Sequence, residues 1–86
     1  MFKATINVAL KDSVLDPQGQ TALHALQTLG IKEALDLRVG KQFILKINSA
    51  NEAEARASAE KICEKVLVNP IIEKYFIELE PLEGTS

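Results

Sequence analysis

Cys63 is the single thiol and His24 the single imidazole of this 86-residue chain, so any reaction it ran would have to use them or its carboxylates. Nucleophilic catalysis needs a thiol or hydroxyl, a base and an orienting group within reach of one another. Cys63 falls in a helical repeat with Ile62 and Val66, which marks it as packed core. His24 lies opposite the apolar face of a different helical segment, where a solvated or interface histidine is the ordinary occupant. One cysteine and one histidine on separate helices make no metal-ligand cluster. Gly40-Lys41 has the look of a phosphate loop, but that motif needs glycine at position 35 and serine or threonine at 42, and the chain has Leu35 and Gln42. Glu52, Glu54, Glu60 and Glu64 read as solvated helix surface, with Glu52 four residues ahead of Arg56 in the favourable order for an ion pair. Three Phe, one Tyr and a net charge of −2 argue against a nucleic-acid sheet, which stacks bases on aromatics and neutralises phosphates with excess Lys and Arg. The residues thus exclude more chemistry than they offer.

The elements that carry these side chains follow from periodicity. Phe2, Ala4, Ile6, Val8 and Leu10 alternate with Lys3, Thr5, Asn7 and Ala9, the period-two pattern of a strand with one face buried. Asp16-Pro17 is a helix start, a carboxylate to cap free N–H groups and a ring whose φ suits the first helical position. Gly30 is the matching stop. Between them Ala22, Leu23, Ala25, Leu26 and Leu29 share a face. Leu35, Leu37 and Val39, then Phe43, Leu45 and Ile47, continue an odd-numbered alternation broken at Gly40-Lys41, which reads either as a hairpin turn or as a bend in one long strand. Ser49 with Glu52, or Asn51 with Glu54, has capping-box spacing. Ala55, Ala59, Ile62, Cys63, Val66 and Leu67 then keep helical period until Asn69-Pro70, and Tyr75, Ile77 and Leu79 alternate as a last strand.

The order βαβ(β)αβ predicts an α+β fold: a two-layer sandwich, ferredoxin-like, with two helices on one face of an antiparallel sheet. Residues 1–86 make one domain, with 81–86 expected to fray. No apolar run approaches the roughly 18 residues of a membrane span, and Met1 leads straight into a strand rather than a secretory signal. With a lone cysteine that cannot pair within the chain, the expected location is the cytoplasm. A chain of this size buries only about 60 to 65% of its unfolded surface, so oligomerisation is the expected supplement. Ala9, Ile44 and Phe76 fall on the second sheet face, where they are candidates for a subunit seam as well as scattered surface residues.

Several short runs together are more specific: Leu15-Asp16-Pro17-Gln18-Gly19, Leu29-Gly30, Leu37-Arg38-Val39-Gly40-Lys41, and Cys63 through Tyr75 with Asn69-Pro70-Ile71-Ile72-Glu73 at its centre. In this order and spacing, from Phe2 to about Glu80, the chain resembles the PurS family, small subunits of phosphoribosylformylglycinamidine (FGAM) synthase. The resemblance implies a role in purine biosynthesis as a non-catalytic member of an ATP- and glutamine-dependent ligase complex, joining the synthetase subunit PurL to the glutaminase subunit PurQ for ammonia transfer. It implies a homodimer or homotetramer, no cofactor on this chain, and ATP, Mg and glutamine used by the partners. Among the motif residues, Asp16 and Pro17 are helix caps on physical grounds, and Gly19 is then permissive. Arg38, Gly40 and Lys41 either reach a partner's carboxylates and backbone oxygens or stand as a solvated pair. Asn69 and Pro70 shape the turn into the last strand.

Two other classes compete. An amino-acid-sensing regulatory domain shares the element order and would bind a small molecule at a dimer seam. A small phosphatase of the acylphosphatase kind would need an arginine in the loop after the first strand, where Lys11 to Asp16 offers none.

Overall fold

Residues 1–82 are described by the computed structural model. Strand β1 (Phe2–Leu10) is followed by helix α1 (Pro17–Thr28), strand β2 (Gly40–Ile47), helix α2 (Glu52–Ile62) running into a π-turn (Cys63–Leu67), and strand β3 (Glu73–Pro81). The sheet has the order β2-β1-β3 with both pairings antiparallel. Ala4, Ile6 and Val8 of the central strand therefore point into one layer, flanked by Leu45 and Leu79, and by Phe43 and Ile77. α2 lies on this face against all three strands. Ala55 and Ala59, both fully buried, let its backbone approach Ala4 and Ile47, while Cys63 and Val68 close over Ile6 and Val8. Apolar area removed from water is the main term holding this layer together, at roughly 25 cal/mol per Å².

The caps act as the sequence reading requires. Asp16 accepts from the Gly19 N–H at the start of α1 with Pro17 in the first turn, and Gly30 ends the helix with φ of 88°. Of the two capping options before α2, it is Asn51 that accepts from the Glu54 N–H.

The α+β class and the antiparallel sheet with two helices hold, but only one helix lies on the sheet. α1 makes no substantial contact with the sheet or with α2, and Gly19 is its one buried residue. The described chain is consequently 51 Å long and 15 Å thick. The reason lies at the root of α1, where side-chain bonds described below fix the helix beyond the end of the sheet. The same bonds explain a second difference. Leu35, Leu37 and Val39 form neither a hairpin arm nor the first half of a bent strand. They return as irregular chain, and β2 begins only at Gly40 opposite Ala9. A Cβ at Gly40 would stand 2.7 Å from the Val8 carbonyl oxygen, so glycine permits the close pairing there.

Val66 also departs from its expected core place and is 78% exposed. The Val68 N–H bonds to the Cys63 carbonyl, five residues back, and this π-turn adds a residue per turn that swings Val66 outward and brings Val68 in. The fraying expected from Pro81 onward is not seen at Pro81 or Leu82. Pro81 still pairs with Phe2, and the Leu82 N–H donates to the Met1 carbonyl at 2.8 Å. Residues 83–86 lie outside the described residues.

Candidate functional site

The motif residues converge at one end of the sheet. Asp16, only 4% exposed, uses both carboxylate oxygens: one accepts from the Gly19 N–H at 3.0 Å and the other from the Val39 N–H at 2.7 Å. A single side chain thus holds both ends of the α1 excursion. These bonds keep the Asp16 carboxyl below its ordinary range, the Val39 N–H contributing most, then the Gly19 N–H, against an opposing effect of burial. Arg38 works from the other side. Its guanidinium donates to the carbonyls of Lys11 and Val14, both at 3.0 Å, tying the segment after α1 to the loop before it. Gly19 is more than permissive here, because a Cβ would run into the Leu37 carbonyl oxygen and lie 2.7 Å from the Asp16 carboxylate.

Next to this clasp, Lys41 and Glu73 form an ion pair at 3.3 Å on the inner face of the sheet. Glu73 also accepts from the Asn69 N–H at 2.7 Å, and its carboxyl is held low mainly by that bond and further by Lys41. Asn69 in turn accepts from the Ile71 N–H through its side chain, and its carbonyl accepts from the Ile72 and Glu73 N–H groups. Asn69 and Pro70 therefore shape the turn into β3. A cavity of about 250 Å³ lies between these groups, lined by Val8, Leu10, Asp16, Gln18, Lys41 and Glu73. Its charged groups already bond to one another or to backbone, so the cavity presents structure rather than a reactive constellation.

Elsewhere Cys63 is fully buried, which pushes its thiol up, and His24 is exposed on α1. Among the described residues, no group of three or more His, Cys, Asp or Glu is placed to hold a metal ion. No helix among them is long and apolar enough to cross a membrane.

Among the described residues, the outer sheet face and α1 both leave apolar side chains uncovered. On the outer sheet face Ile44 and Phe76 are 60% and 65% exposed, with Ala9 half-buried between their strands. Thr5 and Asn7 separate them, and Lys3–Glu80 and Gln42–Asn7 contacts make the rest of that face polar. The second surface is α1. From Pro17 to Thr28 it carries no Asp, Glu, Lys or Arg at all, whereas α2 carries Glu52, Glu54, Arg56, Glu60 and Lys61 over a similar length. Leu29 and Leu35 just beyond α1 are 76% and 86% exposed. A helix without charges that packs on no strand and on no other helix is the strongest functional signal in the chain.

The sequence reading placed Asp16, Pro17, Gly19, Arg38, Gly40, Lys41, Asn69 and Pro70 in three separate motifs, and the fold brings them to one end. It missed that Arg38 bonds to Lys11 and Val14, and that Asp16 has a second N–H donor in Val39. Neither contact has a periodic signature, since each spans more than twenty residues.

Comparison with known proteins agrees with the motifs. Residues 3–81 match the family model PurS: Phosphoribosylformylglycinamidine (FGAM) synthase. The chain is 40% identical over 80 residues to the phosphoribosylformylglycinamidine synthase subunit PurS of Bacillus subtilis, covering 93% of this chain and 94% of that one. It is 35% identical over 83 residues to the Methanocaldococcus jannaschii subunit, covering 96% and 100%. Its fold is similar to the B. subtilis PurS crystal structure, with a TM-score of 0.85, covering 94% of this chain and all of that one. It is equally similar, at 33% identity and a TM-score of 0.85, to a chain of the PurLQS structure from Thermotoga maritima, covering 92% and 96%.

Proposed function

This chain belongs to the PurS family of phosphoribosylformylglycinamidine synthase subunits, and from that membership we propose that it is the non-catalytic adaptor of the synthase, binding PurL and PurQ so that ammonia passes between them. The observation that carries the proposal is α1, a charge-free helix that the chain's own core leaves uncovered. A helix needs one face buried to persist in water, and most of its stability comes from that packing. Here the burial must come from another polypeptide. Similarity to a chain of the T. maritima PurLQS structure supports the same reading.

In this proposal the work of the chain is geometric and takes place in the cytoplasm. It binds no cofactor; PurL uses ATP and Mg, and PurQ releases ammonia from glutamine. The adaptor lowers the free energy of the docked state, in which ammonia is transferred before it meets water. Self-association accompanies docking: a dimer needs one uncovered surface, and a dimer of dimers needs two. α1 and the outer face around Ile44 and Phe76 supply that number.

Mixing the purified chain with PurL, PurQ, ATP, Mg, glutamine and the formylglycinamide ribonucleotide tests the proposal. Glutamine-dependent amidine formation should depend on the chain, while formation from added ammonium salt should not. Equal glutamine-dependent rates with and without it would overturn the adaptor role.

A further inference from the structure

We propose that Glu73 locks a helix end that has two registers. Bonded to the Asn69 N–H and to Lys41, it holds the turn after α2 in its π form. Without it the same residues close into an α-helical turn, and Val66 replaces Val68 over the central strand. The motive is a conflict between residues and fold. Ala55, Ala59, Ile62, Cys63, Val66 and Leu67 keep an unbroken α-helical repeat, which would carry Val66 inward. Instead the Val68 N–H reaches the Cys63 carbonyl at 2.9 Å. Val68 is buried with Cys63 against Ile6 and Val8, and Val66 stands outside.

Packing alone does not choose between the registers. One valine leaves the core as another enters, so buried volume is conserved, and volume-conserving exchanges disturb a core least. The backbone after the turn makes the choice. In an α-helical turn the Val68 N–H would bond to the Glu64 carbonyl, four residues back. A π-turn carries one more residue than an α-turn, so losing it moves the following chain by one helical position, about 100° around the axis and about 1.5 Å along it. The Asn69 N–H could not then stay 2.7 Å from the Glu73 carboxylate.

That carboxylate is held from the sheet. Glu73 stands opposite Leu10 on one side of β1, and its ion-pair partner Lys41 stands opposite Val8 on the other. The Asn69 carbonyl also accepts from the Ile72 and Glu73 N–H groups, so the turn and the lock move together. The lock and the α register exclude one another. The register also sets what the helix shows to water, because Val66 lines a groove with Ser58, Lys61, Ile62 and Lys65 and would leave it on turning inward.

Glu73→Ala removes both bonds, while Glu73→Gln keeps an acceptor for the Asn69 N–H and drops the ion pair. Methyl NOEs from Val66 and Val68 to Ile6 and Val8 report the register. Amide exchange reports opening at Val68, with β1 as the measure of the whole fold. In Glu73→Ala the Val66 methyls should appear against Ile6 and Val8, and exchange at Val68 should rise roughly tenfold or more while β1 stays protected. Glu73→Gln should move the same way by a smaller factor, which keeps the test alive if Glu73→Ala does not fold. Adding Val66→Asp should send Val68 back to the core, because a buried carboxylate without a partner penalises the α register. If the folded variants keep Val68 on Ile6 at the parent's exchange rate, Glu73 is no lock. If neither valine touches Ile6 while β1 stays protected, the end has melted and the second register does not exist.

Discussion

Asp16 has an unusual burden for a carboxylate near the surface, because two N–H groups twenty residues apart, those of Gly19 and Val39, share it. Its folded pKa is lowered, chiefly by the Val39 N–H. A group whose folded pKa lies below its unfolded value adds stability above the unfolded value and loses it as pH falls through the folded one. The clasp should therefore stay intact at neutral pH and through mild acid, and fail only below the ordinary carboxylate range. Following the Val39 and Gly19 amide shifts by NMR from pH 7 downward tests this. Both should move together, with one midpoint below 3.8, the ordinary Asp value. Separate midpoints, or a midpoint above that value, would contradict a shared carboxylate. In Asp16→Asn the joint transition should vanish. Arg38 contributes charge near Asp16 as well as its two carbonyl bonds, so Arg38→Gln should shift the midpoint upward.

At the scale of elements, Gly19 shows why a helix start can also be a tertiary contact. Alanine normally favours helix over glycine by about 0.5 to 1 kcal/mol, so an isolated α1 would gain from Gly19→Ala. In the folded chain the new Cβ meets the Leu37 carbonyl, a backbone atom that cannot turn aside. Overpacking of this kind costs about 1 to 3 kcal/mol and outweighs the propensity gain, so Gly19→Ala should destabilise by urea melting and speed exchange in α1. A neutral or stabilising Gly19→Ala would mean that the root of α1 is looser than described. Much of this architecture was legible beforehand. Period two located β1 and β3, Asp16-Pro17 and Gly30 bounded α1, and Asn69-Pro70 marked the last turn, because each is written in neighbouring residues. What escaped were the effects of long-range bonds. Arg38 and Asp16 keep 35–39 out of the sheet, and the π-turn after Ile62 turns Val66 outward against an unbroken helical repeat. The motif residues were legible as a set, but their meeting at one end of the sheet was not, since spacing along the chain does not encode the contacts between Asp16 and Val39 or between Arg38 and Lys11.

For the whole molecule the decisive quantity is shape. A compact chain of this length has a radius of gyration of about 12 Å, and this one has 16.8 Å. The excess is the projecting α1. The body is built around a small set of fully buried side chains, with Ile6, Val8 and Cys63 the largest, and such a core leaves a narrow margin against conformational entropy. Association then becomes part of folding stability, and mass action gives it a measurable form. For a dimer that unfolds to two chains, each tenfold dilution withdraws about 1.4 kcal/mol per dimer, or about 0.7 kcal/mol per chain. In a domain of this size that corresponds to roughly 3 to 6 °C in the melting midpoint. Calorimetric scans over a roughly hundredfold concentration range should therefore show the midpoint climbing with concentration. A midpoint independent of concentration would mean that the body holds itself together alone and that its uncovered surfaces wait for PurL or PurQ, not for a second copy.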